Sequence, residues 1–305
     1  MNLLSLADLK REDVRELIKN ARHIKKNHEK YRDALSHRSL LMIFEAPSLR
    51  TRLSFSTAMT QMGGHAIDYL LEHSTLGKKE SMKEFVGCAS RYVDGITARL
   101  FDHKQLEEMA LHSSVPVINA LTNYEHPCQI LGDLMTMEEK FGRLAGLKLA
   151  YFGDGLNNVT YSLMFGCALA GVDVTVACPK GKAYAPDKNV IKKAEKIANI
   201  SGSSVKITSN PGEAAKNANI VYTDSWMSYR IAGSKEKARV KVFRPFQVNS
   251  ALMKRTNNAV FMHCLPAKRG HEVTDDVIDS RNSIIFDQAE NRLHIQKAIL
   301  LKLLK

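Results

Sequence analysis

Two short segments of the chain combine residue types that suit catalysis. Ser48-Leu49-Arg50-Thr51-Arg52 carries hydroxyls and two guanidiniums, and His263-Cys264 places an imidazole beside a thiol. Each segment follows an apolar run typical of a strand, so each is predicted to lie where a strand ends, at the edge where α/β sheets bind ligands. The first segment, with the amides of a helix start, suits a phosphate oxyanion, whereas the second suits a polar group without phosphate. Together they predict an enzyme that joins a phosphorylated donor to a second small molecule.

Taken singly, these segments also have simpler interpretations. Ser48 is well suited to cap a helix, with the arginines of its segment exposed to solvent. His126, in the segment His126-Pro127-Cys128-Gln129, is placed at a helix start where it can donate to a carbonyl, but a lone histidine is usually structural. Arg99 ends an apolar strand and is a weak signal by itself. Both interpretations stay open on these residues alone.

The elements that must position these residues alternate between strands and helices. Such alternation indicates parallel βαβ units. The polar, glycine-containing stretch 141–146 is typical of a domain boundary. We therefore predict an α/β protein with two doubly wound parallel-sheet domains of similar size and the active site in the cleft between them. Strands are expected over 39–44, 66–71, 95–99, 115–119, 147–152, 172–178, 205–208, 220–223, 259–264 and 283–286.

The expected domain limits follow from this pattern. The first domain covers 1–142 and the second 143–288, and a last helix, over about 289–305, is expected to pack back on the first domain. With 305 residues, of which 44% are hydrophobic, the chain can bury the core that two such domains need.

The five cysteines, at 88, 128, 167, 178 and 264, form no C-x-x-C pair and no zinc-like spacing with histidine. We expect no disulfide framework and no metal, and we expect most of these thiols to fill core positions, with Cys264 as the exception. No window reaches the roughly 18 consecutive apolar residues that a membrane span needs, and the N-terminus lacks the pattern of a signal peptide. The expected location is the cytoplasm, without a membrane partner.

The net charge of +12 favours anionic partners, which include nucleic acid and small phosphates. A nucleic-acid binder would be expected to cluster its basic residues among aromatic ones. Here they are spread through helical stretches such as 192–196, which indicates solvated helix faces. We therefore predict no nucleic-acid partner.

An ordered set of motifs then becomes decisive. In this order and at these spacings, along essentially the whole chain, the motifs resemble the aspartate/ornithine carbamoyltransferase family, most closely its ornithine-specific members. The resemblance implies transfer of the carbamoyl group of carbamoyl phosphate to the δ-amine of L-ornithine, which gives L-citrulline and phosphate in arginine metabolism without a cofactor. The motifs are Ser-x-Arg-Thr-Arg from Ser48, His-Pro-x-Gln from His126, Gly-Asp-x-x-Asn-Asn from Gly153, Thr-Asp-x-Trp from Thr223, His-Cys-Leu-Pro from His263 and the closing Glu290-Asn291-Arg292.

The resemblance also implies roles for individual residues. Arg50, Arg99, His126 and Cys264 are the implied catalytic residues. The implied oligomer is a homotrimer or a multiple of trimers, in which Thr75 and Lys79 of a neighbouring subunit reach the phosphate, although a polar surface loop would have the same composition. The carbamoyl-phosphate site would comprise Ser48, Leu49, Arg50, Thr51, Arg99, His126, Gln129, Cys264, Leu265 and Arg292, and the ornithine site Asn158, Asp224, Ser228, Tyr229, Cys264 and Leu265.

Two departures from the family pattern bear on these roles. Leu49 replaces the usual threonine, but its backbone amide can still donate. Ser228-Tyr229-Arg230 replaces Ser-Met-Gly, which leaves open another acceptor such as putrescine, a lysine-like amino acid or an acylated ornithine. A catalytically silent binding or regulatory relative is a further alternative, and the loss of a catalytic residue would be its mark. The sequence leaves the biosynthetic or catabolic direction open.

Overall fold

The computed structural model describes residues 1–71, 79–228 and 231–305. The chain divides into two compact units. The first unit comprises Met1–Met135 together with Glu290–Lys305, and the second comprises Thr136–Ala289. Within the described ranges, the α-helices and strands are, in chain order, α1 Arg11–Lys26, β1 Ser39–Phe44, α2 Leu49–Gln61, β2 His65–Leu70, α3 Met82–Ala89, β3 Gly95–Arg99, α4 His103–His112, β4 Val117–Leu121, α5 Pro127–Phe141, β5 Lys148–Phe152, α6 Asn158–Ala170, β6 Asp173–Ala177, α7 Lys188–Ser201, β7 Val205–Thr208, α8 Pro211–Ala215, β8 Ile220–Thr223, α9 Glu236–Phe243, α10 Ser250–Met253, β9 Val260–Met262, α11 Asp275–Ile278 and α12 Ile285–Leu304.

The first unit is built on a parallel sheet with the strand order β2-β1-β3-β4. The chain passes from β1 to β2 and then returns to the other side of β1 to form β3, so the strand order reverses between β1 and β3. The last residues of these two strands, Phe44 and Arg99, are paired in the register. Because ligands bind outside the carboxyl ends of strands at such a reversal, the loop after β1 and the Arg99 side chain lie at the expected binding edge.

The second unit repeats this arrangement with the strand order β7-β6-β5-β8-β9, again parallel throughout. The order reverses between β5 and β8, whose last residues, Phe152 and Thr223, are paired. Gly153 and Asp224 follow directly. The segments that begin at Gly153 and Asp224 therefore start at the reversal point of this sheet.

Side chains that cap helices set the geometry at both reversal points. The Ser48 hydroxyl accepts a hydrogen bond from the Thr51 amide at 3.3 Å and starts α2. The side-chain oxygen Oδ1 of Asn157 accepts a hydrogen bond from the Val159 amide at 2.7 Å and starts α6. Such caps stabilise a helix start by about 1 kcal/mol. Each helix therefore begins within a few residues of the strand that precedes it.

The end of α12 lies in the first unit and contacts α1. The Lys25 ammonium donates to Asn291 Oδ1 at 2.9 Å, and Lys302 pairs with Asp13 at 3.1 Å and Glu16 at 2.5 Å. No described helix, α12 included, has both the length and the apolar composition that crossing a bilayer requires.

The predicted fold class is confirmed, and the departures are local. The predicted strand over 283–286 was wrong: Ser283 forms only an isolated bridge with Phe261, and α12 begins at Ile285. A short apolar run fits a strand and a buried helix start equally well, and Asp287 in the first turn favours the helix. The helices α9 and α10 were not predicted.

The cysteines are free thiols in different surroundings. Cys128, Cys167 and Cys178 are buried, Cys264 is partly buried and Cys88 is exposed. Burial raises the pKa of Cys128 and of Cys178 to about 12, so both thiols stay protonated at neutral pH.

Candidate active site

The side chains of the segment after β1, at the first reversal point, differ in solvent exposure. Ser48 is half-buried, Leu49 is 66% exposed, Arg50 is half-buried and Thr51 is buried. The Leu49 side chain has no polar group, so this position can offer only its backbone amide to an anion. The Ser48 cap and the Arg50 guanidinium lie at the start of α2, where the helix dipole favours an anion.

Arg52 does not serve the anion site as the sequence suggested. Its guanidinium donates to Asp68 on β2 at 2.7 Å and lies 5.7 Å from the centre of the Phe44 ring. An arginine that is held by a carboxylate on β2 and packed on an aromatic ring of β1 supports α2 on the sheet. Of the two guanidiniums expected at the phosphate, only Arg50 keeps that assignment.

A buried polar cluster lies beside this segment, within the first unit. Arg99 at the end of β3, His126 just before α5, Gln129 in its first turn and Arg292 in α12 are each at most 6% exposed. Arg292 donates to Gln129 Oε1 at 2.5 Å and to the Thr51 hydroxyl at 3.2 Å. Residues that are far apart in the sequence are thus brought together.

The His126 imidazole is held neutral in this cluster. Burial is the main cause that lowers its pKa well below the usual value, and the positive charges of Arg292 and Arg99 add to it. A neutral imidazole keeps one N–H to donate and one nitrogen to accept. His126 is therefore suited to polarise a carbonyl by hydrogen bonding rather than by carrying a positive charge.

Asp133 anchors the cluster and was not predicted from the sequence. It is fully buried one turn after Gln129 and accepts a hydrogen bond from Gln129 Nε2 at 2.8 Å. The Gln129 amide is thereby held between a carboxylate and the Arg292 guanidinium, which fixes the orientation of its carbonyl oxygen. The i, i+4 spacing of Gln129 and Asp133 on a predicted helix was the available signal.

In the second unit, the Asp224 carboxylate is the centre of the site. Its Oδ2 accepts from the Asn157 amide at 2.9 Å, and its Oδ1 accepts from the Cys264 thiol at 3.2 Å. The three residues follow β5, β8 and β9, three adjacent strands of the sheet. A partly exposed carboxylate that is fixed in this way suits an ammonium group.

Tyr151 lies behind this carboxylate and was not predicted. Its side chain is fully buried in β5. Burial, and then the negative charge of Asp224, raises the pKa of Tyr151 well above its usual value. The phenol is therefore neutral at all physiological pH values and adds no negative charge to the site.

The His263 side chain shapes the loop that carries Cys264 and Leu265. Its Nδ1 accepts from the Leu265 amide at 2.8 Å, so the ring proton lies on Nε2, which is 3.4 Å from the buried Glu272 carboxylate. Leu265 has φ +57°, a left-handed conformation that this hydrogen bond helps to hold. Asp224, His263 and Cys264 could by distance hold a metal ion, but His263 Nδ1 already accepts from the Leu265 amide and the Cys264 thiol already donates to Asp224.

The other predicted site residues lie outside the described ranges, next to them, or in partly buried positions. Thr75 and Tyr229 lie outside the described residues, as does Arg230. Lys79 is exposed, directly after the first gap. Asn158 and Ser228 are partly buried, and Asn158 Oδ1 also accepts from the Val159 amide at 2.9 Å.

The two sets of residues differ in charge and therefore in the ligand they suit. The first unit places the guanidiniums of Arg99 and Arg292 beside a neutral imidazole, and Arg50 lies at the start of α2. These groups suit a dianion and a carbonyl oxygen that gains negative charge. The second offers a carboxylate, side-chain amides and a thiol, which suit the ammonium and polar groups of an amino acid.

Both halves of the chain match one family. The carbamoyl-phosphate-binding domain of the aspartate/ornithine carbamoyltransferase family matches residues 1–139, and its aspartate/ornithine-binding domain matches residues 145–303. The chain belongs to this carbamoyltransferase family. The recognition made from the ordered motifs is thereby confirmed.

Individual carbamoyltransferases are similar over nearly the full length. The chain is 49% identical over 302 residues to the ornithine carbamoyltransferase of Methanocaldococcus jannaschii, which covers 98% of this chain and 97% of the relative. It is 47% identical to the anabolic ornithine carbamoyltransferase of Pyrococcus furiosus, with 98% and 95% covered. The solved structure of ornithine carbamoyltransferase from Pyrococcus furiosus superposes with a TM-score of 0.95 at 46% identity and covers 99% of this chain and 96% of that one.

Proposed function

We propose that this chain is an ornithine carbamoyltransferase: it transfers the carbamoyl group of carbamoyl phosphate to the δ-amine of L-ornithine and releases L-citrulline and phosphate. The observation that carries the proposal is the buried cluster of Thr51, Arg99, His126, Gln129 and Arg292. It places donors for a carbonyl oxygen beside a helix start that suits a phosphate, in a chain of the matching family.

In this proposal the first unit binds carbamoyl phosphate. Ser48, the Leu49 amide, Arg50 and Thr51 bind the phosphate, and Arg50 offsets the charge of the leaving dianion. Arg99, His126 and the Thr51 hydroxyl donate to the carbonyl oxygen. Gln129 binds the carbamoyl NH₂ group with its carbonyl oxygen, whose orientation is fixed by Arg292 and Asp133.

Ornithine is bound by the residues around Asp224. The carboxylate pairs with the α-ammonium group, and Asn158 and Ser228 donate to the α-carboxylate, with Tyr229 following Ser228 in the chain. The Cys264 thiol, already held by Asp224 at 3.2 Å, contacts the reacting amine and positions it. A carbamoylated cysteine is not required by this arrangement.

The reaction follows from these charges. The neutral δ-amine attacks the carbonyl carbon, and the new C–N bond forms as the carbonyl oxygen becomes an oxyanion. Arg99, neutral His126 and Thr51 stabilise that oxyanion. The C–O bond to phosphate then breaks, and the departing phosphate takes the proton that the amine loses. A protein general base is therefore unnecessary.

A comparison of acceptors tests the proposal. Purified chain is incubated with carbamoyl phosphate and, separately, ornithine, putrescine, lysine and N-acetylornithine, with phosphate release and product mass recorded. We expect a kcat/KM for ornithine at least about tenfold above that of any other acceptor. N-acetylornithine has a blocked α-amino group and cannot pair with Asp224, putrescine lacks the α-carboxylate that Asn158 and Ser228 bind, and lysine is one methylene longer than ornithine. Turnover with another amine only would reassign the acceptor, and no turnover would favour a silent binding relative.

We further propose that the active assembly is a homotrimer in which Thr75 and Lys79 of one subunit complete the phosphate site of its neighbour. The proposal rests on the family pattern and on the exposure of Lys79. Its test is complementation: Lys79→Ala and Arg50→Ala chains are each inactive, and subunit exchange between them restores part of the activity. Failure of mixed assemblies to regain activity would place both residues in one subunit's site.

The proposed direction is biosynthetic, within arginine synthesis, because the relative from Pyrococcus furiosus is named as anabolic. The proposed location is the cytoplasm, where the free thiols of the chain, exposed Cys88 among them, stay reduced.

A further inference from the structure

Arg239 in α9 makes a set of contacts that the proposed reaction does not explain. The residue is 8% exposed. Its Nη2 donates to Asp154 Oδ2 at 2.5 Å, and its Nε donates to the Trp226 carbonyl oxygen at 2.7 Å. The guanidinium also lies 4.7 Å from the centre of the Phe243 ring. A planar cation that is bound along its edge and packed on its face is held in one orientation.

The two partners of Arg239 belong to the two segments that carry the proposed ornithine residues. Asp154 begins the loop that leads to Asn157 and Asn158, and Trp226 lies midway between Asp224 and Ser228. The Arg239 guanidinium therefore connects the two segments, and it is not one of the residues that are proposed to contact ornithine.

Each partner is itself well fixed. Asp154 Oδ1 accepts from the Leu156 amide at 3.0 Å, and its backbone carbonyl accepts from the Thr160 hydroxyl at 2.8 Å. The Trp226 indole is 1% exposed, and its ring stacks on Phe243 with centres 5.8 Å apart. The Trp226 carbonyl lies in the segment between β8 and α9, so the bond from Arg239 helps to fix the path of residues 224–228.

We propose that Arg239 is a positioning residue for the acceptor site: it sets the distance between the Asp224 segment and the Asn157-Asn158 loop, and thereby the affinity for ornithine. The inference rests on the proposed function. Asn157 already donates to Asp224 at 2.9 Å, so a small shift of either segment breaks this bond and displaces the carboxylate. Misplacement of a binding group by about 1 Å can lower activity by about a hundredfold.

The test compares Arg239→Gln and Arg239→Lys with wild-type chain. Arg244 follows α9 directly, is exposed and donates to the Gly270 carbonyl at 3.1 Å. The variant Arg244→Gln is therefore the matched control. We expect Arg239→Gln to raise the KM for ornithine by about tenfold or more, with the KM for carbamoyl phosphate changed by less than about threefold. Arg239→Lys keeps the positive charge but cannot donate to Asp154 and Trp226 at the same time with a planar guanidinium. Its KM for ornithine is therefore expected to fall between those of wild type and Arg239→Gln.

A second readout and a second variant keep the test decisive. Trp226 is the only tryptophan of the chain, so its emission reports on this segment alone, and a red shift is expected in Arg239→Gln. Because that variant leaves the Asp154 carboxylate buried without this guanidinium, Asp154→Asn/Arg239→Gln removes both charges and restores folding if the single variant unfolds. The double variant is expected to keep the raised ornithine KM, because the connection is still absent.

Three outcomes overturn the proposal. An unchanged ornithine KM in folded Arg239→Gln, or in the double variant, excludes a positioning role, whatever the emission. Equal losses for ornithine and carbamoyl phosphate indicate a general structural role. Wild-type chain that fails to carbamoylate ornithine overturns the proposed function together with this inference, whereas active wild-type chain with an unchanged variant KM overturns this inference alone.

Discussion

Arg292 donates a hydrogen bond to Gln129 across 163 positions of sequence, at 2.5 Å, and both side chains are buried. The bond joins α12 to the first turn of α5 and aligns the Gln129 amide, whose other end is held by Asp133. A single guanidinium therefore orders the proposed carbamoyl group site.

Replacing Arg292 with methionine should lower kcat/KM for carbamoyl phosphate by about 10²–10³-fold, because a preorganised charged donor is lost and Gln129 is freed to turn. Arg292→Lys keeps the charge but not the two-pronged contact with Gln129 and Thr51, so a partial loss is expected. The exposed Arg143→Met is the control. Steady-state kinetics check the prediction, and a loss below about threefold in Arg292→Met would contradict it.

His126 should make the protein less stable in acid. Its pKa in the folded chain is well below the usual value, mainly through burial, so the unfolded chain binds the proton more tightly. The stability that His126 contributes is fully present above the pKa of the imidazole in the unfolded chain, near 6.5. It is lost as the pH falls from there toward the lower pKa in the folded chain.

The measurement is the urea midpoint of wild-type chain and His126→Gln at pH 7.5 and at pH 5.5, two values chosen on either side of about 6.5. The wild type should lose more stability between them than the variant does. Other titrating groups are common to both proteins and cancel in the comparison. Equal losses in the two proteins would contradict a buried neutral imidazole.

Asp224→Asn should raise the KM for ornithine by about 10–100-fold, because a charged hydrogen bond to the ammonium group contributes roughly 1.5–3 kcal/mol. The same change should leave binding of carbamoyl phosphate, measured by calorimetry, within about threefold of wild type. The exposed carboxylate of Asp275 gives the control Asp275→Asn. An ornithine KM equal to that of wild type would remove Asp224 from the acceptor site.

Cys264 should be the thiol that acceptor analogues protect. In a Cys88→Ser background, an alkylating reagent should modify partly buried Cys264 before Cys128 or Cys178, which are buried and have a pKa of about 12. L-Norvaline, which has the α-amino and α-carboxylate groups of ornithine without its δ-amine, should slow the modification when carbamoyl phosphate is present. Mass spectrometry of the labelled peptides identifies the site. Unprotected Cys264 would argue against its contact with the acceptor.

The sequence predicted what depends on local pattern and on ordered motifs. Strands β1, β7 and β8 have the predicted bounds, because each apolar run is followed directly by a polar residue, Glu45, Ser209 and Asp224 respectively. The α/β class and the family followed from the same evidence.

Contacts between distant side chains could not be predicted in this way. Arg52 belongs to the same motif as Arg50, yet the neighbouring strand supplies Asp68 as its partner. Arg239 and Tyr151 belong to no recognisable motif. Their contacts form only when α9, β5 and β8 are packed together. The strand expected over 283–286 failed because a run of four residues does not distinguish a strand from the start of a buried helix.

The most direct test of the account is the identity of the bond that the protein forms. Carbamoyl phosphate labelled with ¹³C at the carbonyl and ornithine labelled with ¹⁵N at the δ position are incubated with the purified chain and followed by NMR. The account predicts a one-bond ¹³C–¹⁵N coupling that grows in step with free phosphate and is abolished in Arg99→Met. Phosphate release without that coupling, or coupling that persists in Arg99→Met at the wild-type rate, would contradict it.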